Sequence, residues 1–184
     1  MSTEAPTAVR TVWAFDPAHT SIEFKVKHMM VTTVKGHFNE VTGHIIGNIE
    51  DPTNAEIDVE INAASVNTRN DQRDAHLRSA DFLEVETYPK ILYKSTRIER
   101  VGEDRFKVYG DLTIHGVTRE IDLDGTFNGH RQTPYGTDVV GLSAEGSLNR
   151  KDFGLTYNMA LEAGGWVVGD NLKLDFEIEA IKQG

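Results

Sequence analysis

Cysteine is absent from the sequence, and long apolar runs are absent too. Without cysteine the chain has no disulfide, no thiolate nucleophile and no cysteine-ligated metal, although the compartment is not fixed by this. No stretch approaches the roughly 18 apolar residues that a membrane-spanning helix requires, so we expect no transmembrane segment. Residues 1–12 lack the apolar core of a signal peptide, and the sequence therefore predicts a cytoplasmic location.

Positive charge is also scarce. Nineteen lysines and arginines face 29 aspartates and glutamates, which gives a net charge of −10. Binding to a phosphate backbone requires a basic face, so we expect no nucleic-acid partner. The length of 184 residues, with 39% hydrophobic and 26% charged residues, is typical of one globular domain.

The strongest pattern in the chain is strict alternation of apolar and charged residues. Residues 172–180 read Leu-Lys-Leu-Asp-Phe-Glu-Ile-Glu-Ala, and residues 22–26 and 57–63 repeat the pattern. A period of two predicts β-strands with one buried face. A β-bulge near residues 39–40 would return the apolar residues of the second strand to one face. The eight predicted strands are 20–28, 36–49, 55–63, 90–98, 105–114, 119–127, 138–148 and 171–182.

Long strands with short connections favour a closed, all-β, antiparallel barrel of eight strands. Residues 70–83 break the alternation and predict one or two helical turns, with Asn70 as the cap; residues 157–165 are a second candidate. These short helices would lie at the barrel mouth. We expect residues 1–11 to form a flexible tail and residues 12–184 to form a single barrel domain.

The predicted interior is almost free of charge, and four glycines fall within strands. Eight-stranded barrels either fill themselves with side chains or hold one small ligand. Gly110, Gly125, Gly141 and Gly146 have two interpretations: they relieve barrel corners, or they leave room for a ligand. An apolar lining predicts an apolar guest, because a polar guest would lose hydrogen bonds.

The sequence contains no recognisable catalytic, cofactor or metal-binding motif. The seven histidines form no His-Glu-x-x-His pattern, and no phosphate-binding glycine loop or nucleophile elbow is present. We therefore expect no catalytic residues, no cofactor and no metal. The alternative is an enzyme that acts on a hydrophobic small molecule and uses His76 with Asp74 or His28.

Three arginines form a small basic group in this acidic chain. Arg69, Arg73 and Arg78 either pair with neighbouring aspartates or bind an anionic headgroup at the barrel mouth, since guanidinium suits phosphate oxygens.

Several segments together resemble the YceI-like family, in order, over about residues 12–182. Its most distinctive stretch is Ser65-Val66-Asn67-Thr68 followed by Arg73-Asp74-Ala75-His76-Leu77-Arg78-Ser79-Ala80-Asp81-Phe82. The other matching segments are 16–24, 34–38, 110–118, 150–154 and 168–170. The resemblance implies a lipocalin-like extended barrel with a long apolar pore, binding of polyisoprenoid or related lipids, and a homodimer.

The resulting hypothesis is non-enzymatic binding, storage or transport of a long-chain isoprenoid or related amphiphilic lipid in the barrel interior. The headgroup is assigned to Arg69, Arg73 or Arg78. Besides the enzyme, the remaining alternative is a structural or stress-linked interaction protein whose barrel is filled by side chains. The predicted apolar lining is Phe24, Val26, Phe38, Leu112, Phe127, Leu142, Phe153, Trp166 and Phe176.

Overall fold

The computed structural model describes residues 10–184, which form eleven strands and one α-helix. The strands are β1 (Thr11–Phe15), β2 (Ser21–His28), β3 (Thr32–Phe38), β4 (Val41–Asn48), β5 (Asp51–Asn62), β6 (Val66–Asn67), β7 (Lys90–Arg100), β8 (Arg105–Ile114), β9 (Val117–Gln132), β10 (Asp138–Asn149) and β11 (Val168–Gln183). The helix is α1 (Asp71–Arg78). Residues 1–9 of the predicted tail lie outside the described residues, and β1 already begins at Thr11.

Eight strands close into a ring in which every neighbouring pair is antiparallel. The order is β1-β4-β5-β7-β8-β9-β10-β11, and β11 pairs back to β1. Closure leaves this ring without a free sheet edge, which is the advantage expected of a barrel. The predicted eight-stranded antiparallel barrel is confirmed.

Strand β11 is long enough to hold two partners in succession. Its residues 180–183 pair with β1, and its residues 172–177 pair with β2. A single 3-10 turn at Pro17–His19 joins β1 to β2. The Asp16 side chain caps and stabilises this turn by accepting a hydrogen bond from the Ala18 amide at 3.0 Å. The sequence did not predict β1, which is only five residues long and stops before this turn.

The second predicted strand is two strands, β3 and β4, separated at residues 39–40 where a bulge was expected. Before this break β3 pairs with β2 on one side and with the two-residue strand β6 on the other. Strand β4 instead pairs with β1 and β5. The break therefore directs the two halves of one chain segment to different neighbours.

Helix α1 lies within the predicted segment 70–83, and the Asn70 side chain caps it by accepting a hydrogen bond from the Arg73 amide at 2.9 Å. Residues 157–165 form no helix; a 3-10 helix occurs earlier, at Arg150–Phe153, and Ala160 pairs with Trp166 in an isolated bridge. Helix α1 lies at the barrel end where β5 finishes and β7 begins. No helix within residues 10–184 has the length and apolar character needed to cross a membrane.

Candidate functional site

The barrel encloses two apolar cavities, one beyond the other along its axis. The upper cavity, of about 160 Å³, is bordered by Phe15, Ala55, Phe106 and Phe127 among others. The lower cavity, of about 140 Å³, lies toward α1, whose Leu77 borders it. The residues that border both cavities, here called the waist, are Ile22, Ile61, Leu112, Leu174 and Phe176.

The alternation read from the sequence places these walls correctly. Leu172 and Leu174 border the lower cavity, Leu174 and Ile178 border the upper one, and Phe176 borders both. The intervening residues of β11, such as Asp175, point the other way because successive side chains of a strand alternate between its faces. Strand β11 therefore contributes to the wall along both cavities.

Of the nine predicted lining residues, seven border a cavity. Phe24, Val26 and Phe38 border the lower cavity, whereas Phe127 and Leu142 border the upper one. Leu112 and Phe176 belong to the waist.

The other two predicted lining residues lie elsewhere. Phe153 is only 1% exposed and packs in the apolar core that includes Ile114 and Leu155, without bordering either cavity. Trp166 is 55% exposed on the surface. Residues 150–167 follow β10 as a short 3-10 helix and an irregular segment. Strand alternation therefore does not predict which way their side chains point.

The glycines within strands have different structural roles. A Cβ at Gly110 would lie 2.4 Å from the Tyr93 ring, and one at Gly146 would lie 2.5 Å from a Leu123 methyl group. Both glycines therefore make room for inward side chains. Gly125 borders the upper cavity, and a Cβ there would meet its nearest neighbour, Val108, at an ordinary 3.4 Å. This glycine leaves open space beside the wall.

The predicted headgroup arginines hold the backbone near α1. Arg73 donates from Nε to the Thr68 hydroxyl and from Nη2 to the Thr68 carbonyl, both at 2.7 Å. Arg78 donates to the Ala64 carbonyl at 2.8 Å and to the Val66 carbonyl at 3.1 Å.

No ion pair joins Arg69, Arg73 or Arg78 to an aspartate within residues 10–184, and Arg69 is exposed. Of the three, Arg73 and Arg78 each donate two hydrogen bonds to the chain itself.

Arg150 is the charged group that the sequence reasoning missed. Its side chain is 3% exposed and borders the lower cavity. It donates to the carbonyls of Leu155 at 2.6 Å, Tyr157 at 2.8 Å and Gly169 at 2.9 Å, and it lies 3.4 Å from an Asp170 carboxylate oxygen. Burial lowers the pKa of this guanidinium while the Asp170 charge opposes the shift. The sequence signal for its inward position is the alternation of β10: Leu148 faces inward, and Arg150 lies two positions further along.

The candidate enzyme residues are not brought together. His76 Nε2 lies 2.8 Å from an oxygen of Asp81 rather than Asp74. The buried Asp74 carboxylate accepts from both the amide and the hydroxyl of Thr68, at 2.8 and 2.6 Å. His28 ends β2, where it is paired with Thr32 and Val168. His76 and Asp74 therefore have separate side-chain partners.

One group of three possible metal ligands occurs within residues 10–184: Asp16, His19 and Glu179, whose donor atoms all lie within 4.8 Å of one another. His19 Nδ1 lies 2.7 Å from Asp16 and 3.7 Å from Glu179. The hydrogen bond to Asp16 and the charges of both carboxylates raise the pKa of His19, and the bond from His19 lowers the pKa of Asp16. The cluster joins the β1–β2 turn to β11.

We expect Asp16→Asn to lower the pKa of His19 toward its ordinary 6.5, leaving a smaller rise from Glu179. Asparagine still caps the turn, so the change removes charge and spares the fold. The raised His19 pKa stabilises the protein fully below 6.5, and this contribution disappears as the pH rises through the folded pKa. An NMR titration of the His19 ring measures its pKa in the wild type and in Asp16→Asn. Glu179→Gln is the matched variant, for which a smaller decrease in the His19 pKa is expected. An unchanged His19 pKa in Asp16→Asn would contradict the pairing.

Fold and interior together define a closed antiparallel barrel whose apolar core contains two cavities that share the waist. The YceI-like domain model matches residues 13–180. A UPF0312 protein of Staphylococcus aureus strain N315 is 39% identical over 170 residues, covering 92% of this chain and 96% of the relative. The chain belongs to the YceI-like family, as the sequence motifs predicted.

Solved structures share the same barrel. The Campylobacter jejuni YCEI protein superposes with a TM-score of 0.73 and is 31% identical, covering 87% of this chain and 91% of that one. Burkholderia cenocepacia BcnA has a TM-score of 0.78 at 18% identity, covering 90% and 98%. A polyisoprenoid binding domain from Saccharophagus degradans, implicated in plant cell wall breakdown, has a TM-score of 0.68 at 19% identity, covering 93% and 98%. The last two show the fold alone.

Proposed function

We propose that this protein binds a long-chain isoprenoid or related amphiphilic lipid inside the barrel and stores or transports it without chemical change. The observation that carries the proposal is the pair of apolar cavities in line, with no charged residue among residues 10–184 on the wall of the upper one. A neighbour of the same fold is described as a polyisoprenoid binding domain, which agrees with this reading.

The driving force comes from the tail of the lipid. Burying apolar surface contributes about 25 cal/mol per Å², so each 100 Å² of tail contributes about 2.5 kcal/mol before the costs of association. The two cavities, at about 160 and 140 Å³, share the residues of the waist. A chain that occupies both must therefore pass the waist, where Leu112 and Phe176 are unbranched at Cβ and have other rotamers available.

The enzyme alternative has less support, since His76 bonds to Asp81 and Asp74 bonds to Thr68 rather than to each other. The headgroup assignment to Arg69, Arg73 and Arg78 has less support, because the last two already bind backbone carbonyls. A homodimer and a cytoplasmic location remain predictions.

We expect the gently purified protein to carry a long isoprenoid or similar lipid at near one molecule per chain. Native mass spectrometry gives the mass of the complex and its oligomeric state, and organic extraction followed by mass spectrometry identifies the lipid. A cytoplasmic protein of different fold, purified from the same cells, controls for lipid that adheres during lysis. An empty extract together with no saturable uptake of added geranylgeraniol would contradict the proposal and favour the filled-barrel alternative.

A further inference from the structure

The Tyr93 hydroxyl is a buried polar group with no hydrogen-bond partner in the part of the chain described here. Tyr93 lies on β7, and its side chain borders the upper cavity. The other buried side-chain atom in this condition is Trp13 Nε1, whose ring packs in a separate cluster and borders neither cavity. Buried polar atoms are nearly always satisfied, so an unpaired hydroxyl on a side chain that borders a cavity calls for an explanation.

The neighbouring strand is shaped to hold this hydroxyl in place. Gly110 of β8 lies under the Tyr93 ring, and a Cβ at position 110 would lie 2.5 Å from the hydroxyl oxygen. Any other residue at 110 would push the ring away from the wall. Glycine weakens strand pairing, but at position 110 it leaves the space that the Tyr93 ring occupies. The ring is therefore held against β8.

The hydroxyl keeps its proton and is therefore a donor. Burial raises the pKa of Tyr93, and the carboxylates of Asp111, Asp122 and Glu120 raise it further. A neutral phenol donates one hydrogen bond, which a ligand oxygen is able to accept.

The rest of the upper wall favours a neutral ligand group. None of the described residues that border it is charged, and an ionised group there would lose its hydration without a counter-charge. Thr126 and Ser143 also border the cavity, but both alternate with inward residues and so direct their hydroxyls away from it. The Ser143 hydroxyl is already bonded to Asn128 and Glu177, at 2.7 and 2.9 Å.

We propose that the Tyr93 hydroxyl donates a hydrogen bond to a neutral oxygen of the bound lipid, within the upper cavity. The preferred ligand is then an amphiphile with a ketone, amide or ester carbonyl, rather than a pure hydrocarbon or a phosphorylated lipid. This inference rests on the proposed lipid-binding function and specifies the polar group that the interior recognises.

Two ligands of matched shape test the assignment. Phytone is a branched isoprenoid methyl ketone, and pristane is the hydrocarbon in which a methyl-bearing carbon replaces the carbonyl. Both are titrated against bound Nile red. Tyr93→Phe removes one oxygen atom, and we expect it to weaken phytone binding about tenfold, or about 1.4 kcal/mol, while pristane binding stays within about twofold.

A spectroscopic measurement reports the hydrogen bond directly. The infrared carbonyl band of bound phytone is expected at lower frequency in the wild-type protein and near its hydrocarbon-solvent position in Tyr93→Phe. Tyr109→Phe is the matched control, since Tyr109 lies on β8 and borders neither cavity. Tyr93→Phe removes an unpaired buried hydroxyl, so its melting temperature should not fall.

The outcomes separate the two proposals. If both ligands saturate the protein but Tyr93→Phe leaves the phytone-to-pristane ratio and the carbonyl band unchanged, the Tyr93 assignment is overturned and lipid binding stands. If neither ligand saturates the wild-type protein, the lipid-binding proposal is overturned, and the role of Tyr93 with it.

Discussion

Gly125→Leu is expected to prevent an apolar ligand from entering the upper cavity while leaving the barrel folded. Gly125 lies on β9 among inward residues that border the cavity of about 160 Å³. A Cβ there would meet Val108 at an ordinary 3.4 Å and otherwise extend toward open space. The leucine side chain would therefore occupy the volume that a lipid tail requires, and two groups cannot share it.

The expected size of this effect is large. We expect saturable Nile red binding to weaken at least tenfold, since each methylene of ligand kept from the interior costs about 0.8 kcal/mol. Stability should stay the same or increase by about 0.5–2 kcal/mol, as is common when a cavity is filled. A fluorescence titration and a thermal melt of the same sample measure both quantities.

Gly141→Leu is the matched control because it makes the same substitution on the neighbouring strand, β10. Gly141 lies between Val140 and Leu142, which face inward, and it borders neither cavity. Wild-type affinity is expected in this variant. Equal affinity in Gly125→Leu, Gly141→Leu and the wild type would show that ligand does not occupy the upper cavity.

Arg150→Met is expected to destabilise the protein by about 3–5 kcal/mol. The guanidinium donates to the carbonyls of Leu155, Tyr157 and Gly169 and, at 3.5 Å, to that of Val168, and thereby fastens residues 150–167 to the start of β11. Methionine has a similar length and suits the apolar wall, but it leaves these buried and part-buried acceptors without the donors of Arg150. The cost comes from the unpaired carbonyls rather than from lost volume.

Urea unfolding of the variant measures this loss, and the melting temperature should fall on the order of 10 °C. Lys151→Met is the matched control: Lys151 is about half exposed and pairs with the same Asp170 at 3.1 Å. Exposed ion pairs contribute about 0–1 kcal/mol, so little change is expected there. Similar unfolding free energies for Arg150→Met and Lys151→Met would show that the carbonyl contacts do not stabilise the fold.

The barrel could be predicted because its signal is local. Alternation in β8, β9, β10 and β11 follows from the position of each residue on a pleated strand, which needs no knowledge of the neighbours. The predicted bounds of β8 coincide with those observed, at Arg105–Ile114. The bulge expected near residues 39–40 likewise follows from a change in parity within one segment, and the chain does break there.

The predictions failed to place residues where no regular period applies. Trp166 is among the residues expected to line the interior, but its segment is irregular and 55% of the residue is exposed. Arg73 and Arg78 were judged from their charge and from their aspartate neighbours in sequence. Their partners are carbonyls of residues 64–68, and the path of the backbone around α1 determines which acceptors they reach.

The sequence alone therefore determined most of the strands, the barrel, the family and the apolar character of the interior. Only the tertiary structure determined how that interior is divided and which polar groups meet it. Whether Tyr93 has a partner depends on Gly110 of the next strand and on the cavity beyond it, and the role of Arg150 depends on a loop that folds back from residue 155 to residue 169. Burial and hydrogen bonding are relations between distant segments, and no pattern within one segment encodes them.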